Sequence, residues 1–128
     1  MSPWASGNSP VGADWFEVTN TGANVVSVAG WRMDDSSGSF SNSAALGGVT
    51  SIAPGESVIF LETNDLATKG ALFRSNWFGA SPPLGLQIGS YTGSGVGLST
   101  SGDAVNLYDG SGALQAGVSF GASPGGPF

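Results

Sequence analysis

Apolar segments in this chain are short, and Gly, Pro, Asn or Asp interrupts almost every one of them within a few residues. Such punctuation favours many short strands joined by tight turns over alternating strand and helix units. The chain contains 22 Gly and 7 Pro, yet 40% of its residues are apolar and 10% aromatic, with 4 Trp and 7 Phe. A packed interior is therefore expected, and disorder of the whole chain is not. At 128 residues the length fits one compact domain around one core, residues 1–128, and a second would be hard to fit.

Alternation then places side chains on faces. Phe16 and Val18 share one face of a first strand while Trp15, Glu17 and Thr19 share the other. A strand over Val25 to Val28 follows, and Gly30 turns the chain before Trp31 and Met33, which point inward, with Arg32 and Asp34 opposite. Residues 36–43 read as a polar loop around Phe40. Ile52 lies on a strand, Pro54 and Gly55 make a turn, and Val58-Ile59-Phe60-Leu61 is apolar on both sides, which belongs in the middle of a sheet. Asn64 and Asp65 suit helix N-caps, and Leu66, Leu72, Phe73 and Trp77 recur near helical spacing until Gly79 and Pro82-Pro83. A short helical insertion around residues 65–78, broken near Gly70, is expected. Leu86 and Ile88 suggest a brief edge strand, and Val105 and Leu107 begin a hairpin that turns at Asp109-Gly110-Ser111-Gly112 and returns from Leu114 to Phe120.

The charge pattern limits partners. Only Arg32, Lys69 and Arg74 are basic, and the net charge is -6. Three cations cannot replace the counterions of a nucleic acid, and the net charge repels anionic membranes, so neither is an expected partner. No Cys is present, which excludes disulfides and thiolate metal sites. No apolar run approaches the ~18 residues that cross a bilayer, and the opening Met1-Ser2-Pro3-Trp4 lacks the features of a signal peptide. If the natural protein is exported, its signal is not in this chain.

Candidate chemistry is sparse. Gly117-Val118-Ser119-Phe120-Gly121 and Gly121-Ala122-Ser123-Pro124-Gly125 match nucleophile-elbow spacing, but the motif needs a His base and a following helix, and the chain has no His. No catalytic residue is assigned. Asp34 and Asp35, beside the loop Ser36-Ser37-Gly38-Ser39, are candidate Ca²⁺ ligands without the spacing of a dedicated calcium loop; the plainer reading makes them solvated strand-end acids, one paired to Arg32. Among Asp14, Glu17, Glu56, Glu62, Asp65, Asp103 and Asp109 nothing selects two carboxylates for glycoside hydrolysis. Of the aromatic residues, Trp31 is assigned to the core, and Trp15 is expected under the helical insertion. Trp4, Trp15, Trp77 and Phe78 are the candidates for a surface that binds a protein or a sugar.

Four stretches in order give a family resemblance: Asp14-Trp15-Phe16-Glu17-Val18-Thr19-Asn20-Thr21-Gly22, Gly30-Trp31-Arg32-Met33-Asp34-Asp35, Ile52-Ala53-Pro54-Gly55-Glu56, and Leu98-Ser99-Thr100-Ser101-Gly102-Asp103-Ala104-Val105-Asn106-Leu107-Tyr108-Asp109. Together they resemble the lamin tail domain, over roughly residues 14–121. The aromatic segment Phe73-Arg74-Ser75-Asn76-Trp77-Phe78 is similar to the insertion of its bacterial branch. The resemblance implies an all-β, immunoglobulin-like sandwich, and a module often appended to exported bacterial hydrolases or surface proteins. No heptad rod is present, so it implies no filament role. The expected function is a non-catalytic interaction or adaptor module of a longer bacterial protein, extracellular or at the cell surface. It would bind a protein partner or linked domains of its own polypeptide, without a cofactor. The alternative is a Ca²⁺-stabilised or carbohydrate-binding targeting module; a stand-alone hydrolase ranks last. Against the family pattern, little precedes Pro3-Trp4, so the chain reads as a fragment lacking its first strand, with an open sheet edge able to pair with a second copy.

Overall fold

The computed structural model describes residues 10–122. In chain order the elements are β1 (Trp15–Thr19), β2 (Val26–Ser27), β3 (Arg32–Asp34), a single 3-10 turn (Phe40–Asn42), β4 (Ala44–Ala45), β5 (Ser51–Ile52), β6 (Ser57–Glu62), α1 (Leu66–Phe78), β7 (Ile88–Tyr91), β8 (Asp103–Tyr108) and β9 (Leu114–Phe120). One sheet has the order β1-β6-β7 and the other β4-β3-β8-β9, with β2 and β5 forming a separate two-stranded ribbon.

Register follows from alternation. Phe16 stands opposite Phe60 and Val18 opposite Val58 in the antiparallel β1–β6 pair, so one face of that sheet is continuously apolar. Met33 stands opposite Leu107 in β3–β8 and supplies the facing layer with Val105. Phe16, Val58, Phe60 and Tyr91 from the first sheet meet Met33, Val105 and Leu107 from the second in one buried cluster, into which Val96 and Leu98 also pack. Phe16 stacks on Phe60 with ring centroids 5.4 Å apart. This is the all-β sandwich that the alternation predicts.

β6 is apolar on both sides because both sides are covered. Val58 and Phe60 face the second sheet, while Ile59 and Leu61 face outward and join Val11, Ala13, Phe73 and Ile88 in a second buried cluster beneath α1. Leu66, Gly70, Phe73 and Trp77 fall on one helix face at spacings of three and four, and that face lies on the sheet. Asp65 caps the helix by accepting the Thr68 N–H at 3.1 Å.

Several local expectations are corrected. α1 runs unbroken through Gly70 for 13 residues. Its cap and the burial of Phe73 outweigh the ~1 kcal/mol that a central glycine costs. The strand expected from Val25 is reduced to Val26–Ser27, with Val25 itself exposed. The loop at 36–43 contains a 3-10 turn. Leu86 precedes β7 rather than joining it. Trp31 lies just outside β3 and is only partly buried, packed against the edge of the main core. Gly30, at φ 77°, turns the backbone immediately before it, so the strand alternation that would aim Trp31 inward starts one residue later.

Candidate functional site

The outer side of β1 and the C-terminal half of α1 build an aromatic groove. Trp15, expected beneath the insertion, makes edge-on ring contacts with Phe73 at 5.2 Å and with Trp77 at 5.4 Å between centroids. Phe73 also packs against Phe78 at 6.4 Å. After α1, the segment through Pro83, Leu84 and Leu86 folds along the same side, where Arg74 donates from Nη2 to the Leu86 carbonyl at 3.1 Å. These walls enclose a cleft of about 470 Å³, lined by Trp15, Ile59, Phe73, Trp77, Phe78, Pro83, Leu84 and Leu86, with Glu17, Glu56 and Ser57 at its polar margin.

The lining is only partly covered. Phe73 is buried and anchors the floor, whereas Trp77 is 42% exposed, Phe78 36%, and Leu84 projects wholly into solvent. Exposed apolar groups this large, grouped in one concavity, mark a binding surface. The two carboxylates differ. Glu56 accepts from the Ala53 N–H at 2.7 Å and from Gln87 Nε2 at 2.8 Å, and these donors hold its carboxyl below the ordinary range. Glu17 is exposed and, among the described residues, receives only a long 3.5 Å contact from Thr19 Oγ1.

The structure therefore joins Trp15, Trp77 and Phe78 in one site, while Trp4 lies outside the described residues. Sequence reasoning missed the wall formed by Pro83, Leu84 and Leu86. Pro82-Pro83 signals the end of the helix, but an isolated Leu84 gives no period from which its direction can be read.

Asp34 is not a solvated acid: it is completely buried, and its Oδ2 accepts the Ser37 hydroxyl at 2.8 Å and the Ser39 N–H at 2.6 Å. Arg32 instead donates to the Ser43 hydroxyl and carbonyl. Asp35 stays at the surface and accepts the Ser37 N–H at 2.8 Å. Asp34 Oδ1 is buried with no hydrogen-bond partner among the described residues. No group of three or more His, Cys, Asp and Glu side chains suited to a metal ion occurs among the described residues.

A second acidic arrangement was not legible in the sequence. The Glu62 N–H donates to the Asp14 carbonyl, and Glu62 is in register with Tyr91, so Asp14, Glu62 and Tyr91 form one row across the inner face of the first sheet. Asp14 Oδ2 accepts the Leu98 N–H at 2.6 Å. Burial, and then the charge and hydrogen bond of Asp14, raise the Glu62 carboxyl to about 7. Asp103, at the end of the facing strand, behaves oppositely. Burial pushes it up, but N–H donors from Ser99, Ala104 and Ser36 outweigh that and hold it below its ordinary value.

Of the two nucleophile-elbow matches, Ser119 lies within β9 rather than at a strand-to-helix turn, and Ser123 lies outside the described residues. Among the described residues no helix is long and apolar enough to cross a membrane. A family model described as Lamin Tail Domain matches residues 1–122. No curated protein and no solved structure matches the chain.

Proposed function

From a chain that belongs to the lamin tail domain family, we infer a non-catalytic interaction module that docks an apolar segment of a protein partner in the groove between β1 and α1. The observation that carries this reading is the joint exposure of Trp77, Phe78 and Leu84 over a floor of buried Phe73 and partly buried Trp15. Aromatic side chains held by their neighbours lose little conformational entropy on binding, which suits them as anchors. Glu17 adds a charge at the margin, so the segment that fits best carries a Lys or Arg beside its apolar residues. A sugar would also stack on Trp77, but its hydroxyls would meet few free polar groups, because both Glu56 oxygens already have donors.

In this reading the partner is a separate protein or another domain of the same polypeptide, and the longer protein is an exported or surface-attached bacterial one. Nucleic acid is disfavoured by the net charge of -6, and hydrolysis by the lack of any His or Cys. Selection of peptides from a random library on the full chain tests the proposal. The expected ligands place an aromatic or aliphatic pair next to a basic residue, and Trp77→Ala with Leu84→Ser weakens them ~10-fold or more, the loss of a typical aromatic anchor. Ligands indifferent to both substitutions, with folding intact by circular dichroism, would contradict it.

A further inference from the structure

β9 is a 7-residue strand at the edge of its sheet, paired with β8 on one side and with no described strand on the other. Natural edges of this kind are usually blunted by a lysine, a proline or a bulge. Leu114–Phe120 contains no charge and no proline, and its one irregularity sits near the start, at Gln115. Val118 is 50% exposed. Beside β9 a slot of about 180 Å³ opens toward β1, the edge of the other sheet, so Phe16, Val18, Val105 and Leu107 can be reached from this side.

The order of residue types along β9 indicates what fits against it. Around Gly117 the strand reads alike in both directions: Ala116 and Val118 are apolar, Gln115 and Ser119 polar, Leu114 and Phe120 large and apolar. Antiparallel pairing of two such strands about Gly117 sets Ala116 opposite Val118 with both side chains on one face, the arrangement in which cross-strand pairs stabilise a sheet, whereas the bulge at Gln115 turns Leu114 to the other face from Phe120. A slip of one residue would turn apolar side chains to the polar face. The bulge at Gln115 interrupts the alternation there, so Ala116, Gly117 and Val118 form the centre. No charge on β9 opposes another, and the net charge of -6 on each chain acts at a range that ~0.15 M salt screens within about 8 Å.

We propose that β9 is a homodimer interface, through which two copies join edge to edge about Gly117 and merge their four-stranded sheets into one. The interface uses residues distinct from the aromatic groove, the slot and groove sharing only Glu17. Sedimentation velocity of the full chain over rising concentration in ~0.15 M salt tests the proposal. The expected species has twice the 12.7 kDa mass of one chain. Val118→Lys is expected to leave a monomer with unchanged near-ultraviolet circular dichroism. Because the chain has no Cys, engineered thiols report the register cleanly. A mixture of Ala116→Cys and Val118→Cys chains is expected to cross-link under oxidising conditions far more than either variant alone, and this measurement decides the matter if Val118→Lys fails to fold. A natural chain monomeric at every concentration, a dimer that survives a folded Val118→Lys, or a mixture that cross-links no better than its components would each overturn the proposal.

Discussion

Gly89 occupies a point where the sandwich has no space for a side chain. A Cβ there would lie 2.6 Å from Phe60 Cε1 and press on the backbone carbonyl of Gly47, whose strand-like bridge to Ser90 fixes the approach. Gly89→Ala is therefore expected to destabilise the fold by about 2–3 kcal/mol, the range of core overpacking, as read by urea denaturation. Nothing in the sequence singles out this glycine among 22, because the clash depends on three segments meeting. Glu62 was equally hidden, since its neighbour Asp14 is supplied by strand register rather than by proximity in the chain. Its carboxyl titrates near 7 in the folded protein against an ordinary value of 4.5, so the native state binds that proton more tightly than the unfolded chain. The resulting stability is complete below pH 4.5 and is lost as pH rises through 7. At a fully buried site this shift would amount to about 3 kcal/mol, and for a half-buried side chain solvent screening reduces it to about 1–2 kcal/mol. Asp103, Asp65 and Asp109, whose carboxyls are lowered, lose their contributions only on the acid side. Denaturation midpoints should thus fall between about pH 5 and 8 in the natural chain, and Glu62→Gln should flatten that fall. A flat natural profile would contradict the paired carboxyls.

The elements differ in how far their patterns could be read. β1, β6 and β8 carry strict alternation, or apolar residues on both faces, and Phe16, Val105 and Leu107 are buried where that period puts them, as is Met33 in β3. The two-residue strands β2, β4 and β5 are too short to show a period, and their backbone pairing is decided by neighbours far away in the chain. α1 was visible in outline, but its continuity was not, because Gly70 suggests a break that tertiary packing overrides. Space remains at that position: an added methyl would meet Arg74 Nη1 at 3.4 Å and Leu66 Cδ1 at 3.9 Å, both ordinary van der Waals distances. Gly70→Ala is accordingly expected to raise stability by about 0.5–1 kcal/mol, the helix-propensity difference, in the same denaturation assay. A loss of similar size would show that the helix needs close approach at Gly70. Removing the cap by Asp65→Ala should cost about 1 kcal/mol and fray the first turn.

Across the whole molecule, the sequence specifies an inner layer between two sheets and an outer layer between one sheet and a helix, and the outer layer remains incompletely covered. In the function proposed above, that asymmetry is what gives a chain with so little reactive chemistry a surface for a partner. The individual aromatic residues of the groove were legible as candidates, since Trp15 lies opposite an inward face and Trp77 lies on the apolar side of a helix. Their convergence was not, because it depends on how α1 lies across the sheet and on the return of the chain through Leu84. Arg74 and Lys69 tie that geometry together by donating to the carbonyls of Leu86, Val11 and Gly12, so the groove has fixed walls on both sides of α1. The most direct test is nuclear magnetic resonance of the full chain titrated with a peptide selected on it. The indole signals of Trp15 and Trp77 and the methyls of Leu84 and Leu86 are expected to shift together, while those of Val105 and Leu107 stay in place. Perturbation centred anywhere else, with the four groove residues unmoved, would contradict the proposed function.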